Sequence, residues 1–130
     1  MTLNELIENF SYLPDWEDKY RYLIELGNAL SPMNEADKNN TTKVDGCMAQ
    51  VWIQSYTKEN HFFFEMDSDA HIVKGLQAVL MALINGKTAD EIKALPLKDI
   101  FEQLGLQEHL SPNRRNGFQA MVDRIYQLIS

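Results

Sequence analysis

The chain has a single cysteine, Cys47, among 130 residues, and that scarcity closes off several chemistries at once. An intramolecular disulfide is excluded, and so are a four-cysteine zinc site and an iron–sulfur cluster held by the chain's own thiolates. Glycine and proline are sparse as well, at 6 and 4 residues. No repeat, low-complexity tract or Pro/Gly/Ser-rich linker interrupts the sequence, so residues 1–130 are expected to form one domain. Basic residues are the minority, 12 Lys and Arg against 19 Asp and Glu, for a net charge of −7. A general nucleic-acid binder needs the opposite balance, because its affinity comes from neutralising phosphates. A surface built for anionic membranes does too. No apolar run approaches the roughly 18 residues of a membrane span; the longest candidate lies around Ala78–Ile84. The opening MTLNELIENF carries acids where a signal peptide would place basic residues, so no leader is expected. A lone free thiol suits a reducing cytoplasm.

What remains is an ordinary soluble composition, 45% hydrophobic and 24% charged. A chain of this length buries roughly two-thirds of its unfolded surface, enough to fold without staples. Thr2 to Glu5 reads as a capping box opening a short helix, with Leu3, Leu6, Ile7 and Phe10 at helical spacing. Pro14 punctuates it. Asp15 then caps a second helix in which Trp16, Tyr20, Leu23 and Ile24 share a face, Glu17 and Arg21 form an exposed pair, and Gly27 lies near the end. Residues 31–40 are polar, contain Pro32, and should be irregular or at most one helical turn.

The period then changes. Val51, Ile53 and Ser55 alternate with Trp52, Gln54 and Tyr56; beyond a turn at Lys58-Glu59-Asn60, Phe62, Phe64 and Met66 alternate with His61, Phe63 and Glu65. This is an antiparallel hairpin, and a third strand is expected before it around Lys43-Val44, since two strands alone are marginal in water. From Asp69 the pattern is helical again, with Ile72, Val73, Leu76, Val79, Leu80, Leu83 and Ile84 on a wide stripe that marks the central buried helix. Asp67 and Asp69 read as caps at its start. Asn85-Gly86 ends it, Thr88 to Glu91 is a second capping box, and Leu97, Ile100, Phe101 and Leu104 make another short helix. Ser111-Pro112 starts the last helix, which carries Phe118, Met121, Val122, Ile125, Leu128 and Ile129 inward. The expected class is α+β: a small antiparallel sheet of about three strands with helices at both ends of the chain.

Cys47 is the one nucleophile that stands out. Gly46 before it can take a positive φ, which permits a sharp turn with the thiol at a loop tip. Free cysteines are usually small core residues, and that bland reading stands level with the reactive one. A hydrolase would need a base beside the sulfur; His61, His71 and His109 form no local dyad pattern. The three histidines lack metal-ligand spacing, so no metal site is expected. Phe62, Phe63 and Phe64 fit a core strand better than a nucleic-acid stacking surface. Arg114-Arg115 is the one basic doublet, placed at a helix start where cationic charge is unfavourable.

These residues resemble a known family. Val44-Asp45-Gly46-Cys47 followed by Gln50-Val51-Trp52 is similar to the acceptor-cysteine loop of the SufE family, which includes the CsdE-type proteins. The likeness continues in residues 16–20 and 24–27, in residues 67–76, and in residues 110–114 and 117–121, in the family's order. Met48-Ala49 departs from it, standing where many members carry a polar residue and serine. The resemblance implies a SufE/IscU-like fold and a partner, a pyridoxal-phosphate-dependent cysteine desulfurase of the SufS or CsdA type. The chain would not be an enzyme on its own and would hold no cofactor. It would take persulfide sulfur onto Cys47, stimulate the desulfurase, and pass the sulfur toward iron–sulfur cluster assembly, to a cluster scaffold or another acceptor.

That chemistry is thiolate attack on a sulfur–sulfur bond, and a carrier without a second thiol cannot expel the sulfur as an internal disulfide. A scaffold that builds the cluster on itself would want several ligands. The resemblance further implies that the cysteine loop shelters against an apolar patch, with docking restoring reactivity. Arg114 matches the family's Pro-x-Arg position and implies partner contact or thiolate stabilisation; Asp69 and His71 are expected as partner-facing surface residues. A cysteine hydrolase and a non-catalytic adaptor are the competing classes, and the oligomeric state stays open, a homodimer included.

Overall fold

The computed structural model describes residues 2–46, 49–106 and 110–130. Cys47, Met48 and His109 lie outside the described residues. Helix α1 (Leu3–Ser11) opens on the Thr2 hydroxyl, which accepts the Glu5 N–H at 3.1 Å, and it buries Leu6 and Phe10. Helix α2 (Trp16–Asn28) is capped by Asp15, whose carboxylate accepts the Asp18 N–H at 3.0 Å. Residues 31–40 contain one 3₁₀ turn, Glu35–Asp37, as the polar composition suggested.

Strands β1 (Val51–Lys58) and β2 (His61–Ser68) form the expected hairpin, in register from Val51 opposite Ser68 to Lys58 opposite His61. The two-residue turn places Glu59 at φ 54° and Asn60 at φ 65°, the left-handed pair whose twist matches the strands. Helix α3 (His71–Ile84) is the central one. It is apolar nearly all round because it lies between the sheet and α2. The approach to α2 is backbone to backbone: a Cβ on Gly27 would stand 2.7 Å from the Gly75 nitrogen, so glycine is required at that crossing. After Asn85, whose side-chain carbonyl accepts the Phe64 N–H at 2.8 Å, comes the short strand β3 (Lys87–Thr88). Helix α4 (Ala89–Lys93) begins with the reciprocal Thr88–Glu91 capping box. A 3₁₀ turn (Leu97–Asp99) leads into α5 (Ile100–Gln103), and α6 (Pro112–Ile129) starts on Ser111.

Several expectations need correction. The third strand is β3, hydrogen-bonded to β2 on the far edge, giving the order β1-β2-β3. Lys43 contributes only an isolated bridge to Trp52, because the chain turns away after Val44. On α2, Leu23 and Gly27 face the core while Tyr20 is exposed and Trp16 and Ile24 are half-buried, because the buried stripe follows the α3 crossing. Arg21 bonds Asp18 at 3.2 Å, one turn back.

Asp67 is the largest departure. It caps no helix: α3 has Ala70 at its N-cap, with no side-chain cap bond. Asp67 sits at the end of β2 on the face opposite the core, opposite Trp52, and is nevertheless buried. Residues 33–38 cover it. Its carboxylate accepts the Met33 N–H at 3.1 Å and the Ser68 N–H at 2.8 Å, and pairs with Lys38 at 3.1 Å and Lys74 at 3.5 Å. Lys38 also lies over the Trp52 ring, 5.1 Å from its centroid. Burial pushes this carboxyl up, but the bonds from Lys38, Ser68 and Met33 outweigh it and hold the group below its ordinary value of 3.8. The same contact raises the Lys38 ammonium.

Removing one partner of a buried ion network leaves uncompensated charge. Asp67→Asn is therefore expected to cost about 3 kcal/mol in denaturant unfolding. A depressed carboxylate contributes stability above its unfolded value and loses it as pH falls. Wild-type stability should thus decline as pH drops below about 4 through the lowered folded value, and the decline should be shallower in Asp67→Asn.

Candidate functional site

The residues on either side of Cys47 are joined to each other where they meet the sheet. The Val44 N–H donates to the Val51 carbonyl at 2.8 Å, and the Ile53 N–H donates to the Thr42 carbonyl at 2.9 Å. Val44 and Val51 are both buried, so the neck is anchored in the core. Gly46 takes φ 91°, the left-handed turn expected of it, and a side chain there would be strained.

The downstream arm is gripped by the residues that end β2. Asp69 accepts the Gln50 N–H on its carboxylate at 3.0 Å and donates its own N–H to the Gln50 carbonyl at 3.2 Å. The Ser68 hydroxyl donates to that same carbonyl at 2.7 Å and accepts the Ala70 N–H at 3.2 Å. Asp69 is thus not a helix cap. It holds the loop's exit while remaining solvent-exposed. Ser68 and Gln50 were not singled out from the sequence, because their pairing joins positions 18 apart. The hairpin register that brings them together was readable, but the hydroxyl's target was not.

Beside the loop lies a cavity of about 340 Å³. Ala49, Val51, Val73, Leu76, Phe118 and Met121 supply its apolar wall, and Ser111, Asn113 and Arg114 its polar edge. The N-terminus of α6 closes that edge, with the Ser111 hydroxyl accepting the Arg114 N–H at 3.3 Å. Arg114 is half-buried and lines the cavity, whereas Arg115 is exposed. His71 opens α3 on an exposed position two residues from Asp69.

His61 opens β2 at the far end of the hairpin, beside the turn, where its ring Nδ1 lies 2.8 Å from the Glu59 carbonyl. A strand of that length puts it roughly 20 Å from the loop neck, too far for a base acting on Cys47. The arrangement therefore gathers Gly46, Asp69, Arg114 and His71 around one end of the sheet and leaves His61 at the other. Among the described residues, no three His, Cys, Asp or Glu side chains cluster to hold a metal ion, and no helix is long and apolar enough to cross a membrane.

Fold and site together define an α+β domain in which the residues flanking the single cysteine, Val44 and Val51, are bonded to each other beside an apolar cavity. The comparisons with known proteins agree on which one. The family model described as SufE, an Fe-S metabolism associated domain, matches residues 4–129, and the chain belongs to the SufE family. An uncharacterized SufE-like protein of Rhizobium etli is 48% identical over 128 residues, covering 95% of this chain and 86% of the relative. A second, from Rhizobium meliloti, is 44% identical over 128 residues, covering 95% and 91%. The solution structure of a hypothetical protein from Thermus thermophilus superposes with a TM-score of 0.80 at 19% identity, covering 98% of this chain and 92% of that one; this likeness shows the fold. Family membership supports a role in sulfur transfer with cysteine desulfurases in general.

Deleting the carboxylate at the loop exit should loosen the loop without unfolding the domain. Asp69→Ala is expected to raise the rate of Cys47 alkylation by iodoacetamide about fivefold, the worth of one hydrogen bond. Asp69→Asn keeps an acceptor and should stay near wild type.

Proposed function

We propose that residues 1–130 act as a single SufE-like domain whose Cys47 accepts sulfur from a cysteine desulfurase of the SufS or CsdA type. The desulfurase presents a persulfide, and the Cys47 thiolate attacks its terminal sulfur. A sulfur–sulfur bond forms on Cys47, the bond to the desulfurase cysteine breaks, and that cysteine leaves as a thiolate. Removing the sulfur in this way frees the desulfurase for another turnover, which is how the chain stimulates it. The sulfur then passes to a cluster scaffold or another acceptor. No cofactor of its own is needed, and a reducing cytoplasm keeps the thiol free.

One observation supports this reading: the sole cysteine lies in sequence between Gly46 and Ala49, whose neighbours Val44 and Val51 are bonded to each other beside an apolar cavity edged by Arg114. Three peptide units separate Val44 from Cys47, a reach of about 11 Å. An apolar recess raises the cost of the thiolate and slows stray reductants, while docking would expose the sulfur to its donor. Arg114 serves as partner contact or as the cation that favours the thiolate, and Asp69 and His71 lie on the face that meets the desulfurase.

Incubation with a desulfurase and cysteine should add about one sulfur atom to Cys47, read by intact mass. Cys47→Ser should abolish the gain while keeping the wild-type circular dichroism. Ester turnover by the chain alone, or sulfur delivery that survives Cys47→Ser, would overturn the proposal in favour of a hydrolase or an adaptor. Arg114→Ala is expected to slow the uptake about tenfold, the worth of a charge-assisted contact.

A further inference from the structure

The arm that enters the segment containing Cys47 begins in a turn over residues 39–42, closed by the Lys43 N–H donating to the Asn39 carbonyl at 3.0 Å, and its two edges are bonded to different parts of the fold. On the inner edge, the Thr42 carbonyl accepts the Ile53 N–H of β1 at 2.9 Å. On the outer edge, where a further strand would lie, the Arg124 guanidinium of α6 donates to the Lys43 carbonyl at 2.9 Å and to the Thr41 carbonyl at 3.4 Å. One planar fork thus reaches two carbonyls, one in the turn and one just beyond it.

The arm is preformed behind this contact. The Asn39 side-chain oxygen accepts the N–H groups of Thr41 at 2.9 Å and Thr42 at 3.2 Å, and the Thr42 hydroxyl donates to the Asp37 carbonyl at 2.6 Å. Farther along, a Cβ on Gly46 would lie 3.6 Å from the Ala120 Cβ, one turn before Arg124 on the same helix. Helix α6 therefore flanks the upstream arm from Thr41 to Gly46, and Arg124 is the side chain that bonds it there.

We infer that Arg124 is a positioning residue: by bonding the Thr41 and Lys43 carbonyls it holds the upstream arm of the segment containing Cys47 against α6, as Asp69 and Ser68 hold the downstream arm. The purpose of this brace rests on the sulfur-acceptor reading, but the brace itself can be tested without a desulfurase. In the free protein, Arg124→Ala is expected to raise amide exchange at Val44 and Ile53 about fivefold, with Cys47 alkylation rising in step, while the melting temperature falls by only a few degrees and the Leu80 amide in α3 keeps its wild-type chemical shift.

Arg124→Lys keeps the charge but offers a point donor, so it should leave the arm as open as alanine does. Unchanged exchange at Val44 and Ile53, a shifted Leu80 amide resonance, or full rescue by lysine would each overturn the inference. A wild-type chain that gains no sulfur, in a protein where Arg124→Ala still opens the arm locally, would refute the acceptor reading and leave the brace standing.

Discussion

The Asp67 carboxylate is the contact on which the rest of this end of the molecule depends. It lies on the face of the hairpin that alternation assigns to solvent, yet it is buried, and a buried charge persists only when paired. Its partners come from three places. Met33 and Lys38 come from the irregular segment, Ser68 is the next residue along β2, and Lys74 lies on α3. One side chain thus folds residues 33–38 over the sheet, places Lys38 against Trp52, and sets the angle at which β2 hands over to α3. The Asp67 carbonyl takes part as well, accepting the Gln77 side-chain N–H at 2.9 Å inside the core.

The residues after Asp67 inherit that rigidity. Ser68 and Asp69 bond Gln50 from a strand end that cannot shift, so the downstream arm of the cysteine loop leaves the sheet at a defined point. The upstream arm is bonded to β1 on one edge and to Arg124 on the other. The apolar cavity alongside is walled by β1, α3 and α6, of which β1 and α6 also hold the upstream arm.

Local chemistry made much of this legible. The caps at Thr2, Asp15, Thr88 and Ser111 each form the bond their residue types imply, because a cap is satisfied within three residues. The hairpin followed from alternation and the two-residue turn, and the buried helix from its wide apolar stripe. The third strand was misplaced because a two-residue strand carries no period to read, and its pairing depends on where Asn85 and Gly86 return the chain to β2. The gripping contacts of Asp69 and Ser68 and the brace of Arg124 link positions too distant along the chain for any spacing rule.

By itself the sequence determined that this is an acidic α+β domain with one thiol after a turn-forming glycine, since composition, period and capping are properties of neighbouring residues. Its blocks were also enough to point to the SufE family. Only the tertiary structure decided that Asp67 is an interior anion and not a cap, that the loop is tied at both arms, and that Arg114 shares a cavity with the loop's flank. Those outcomes turn on burial and on bonds between remote segments, and neither exists until the helices have packed across the sheet.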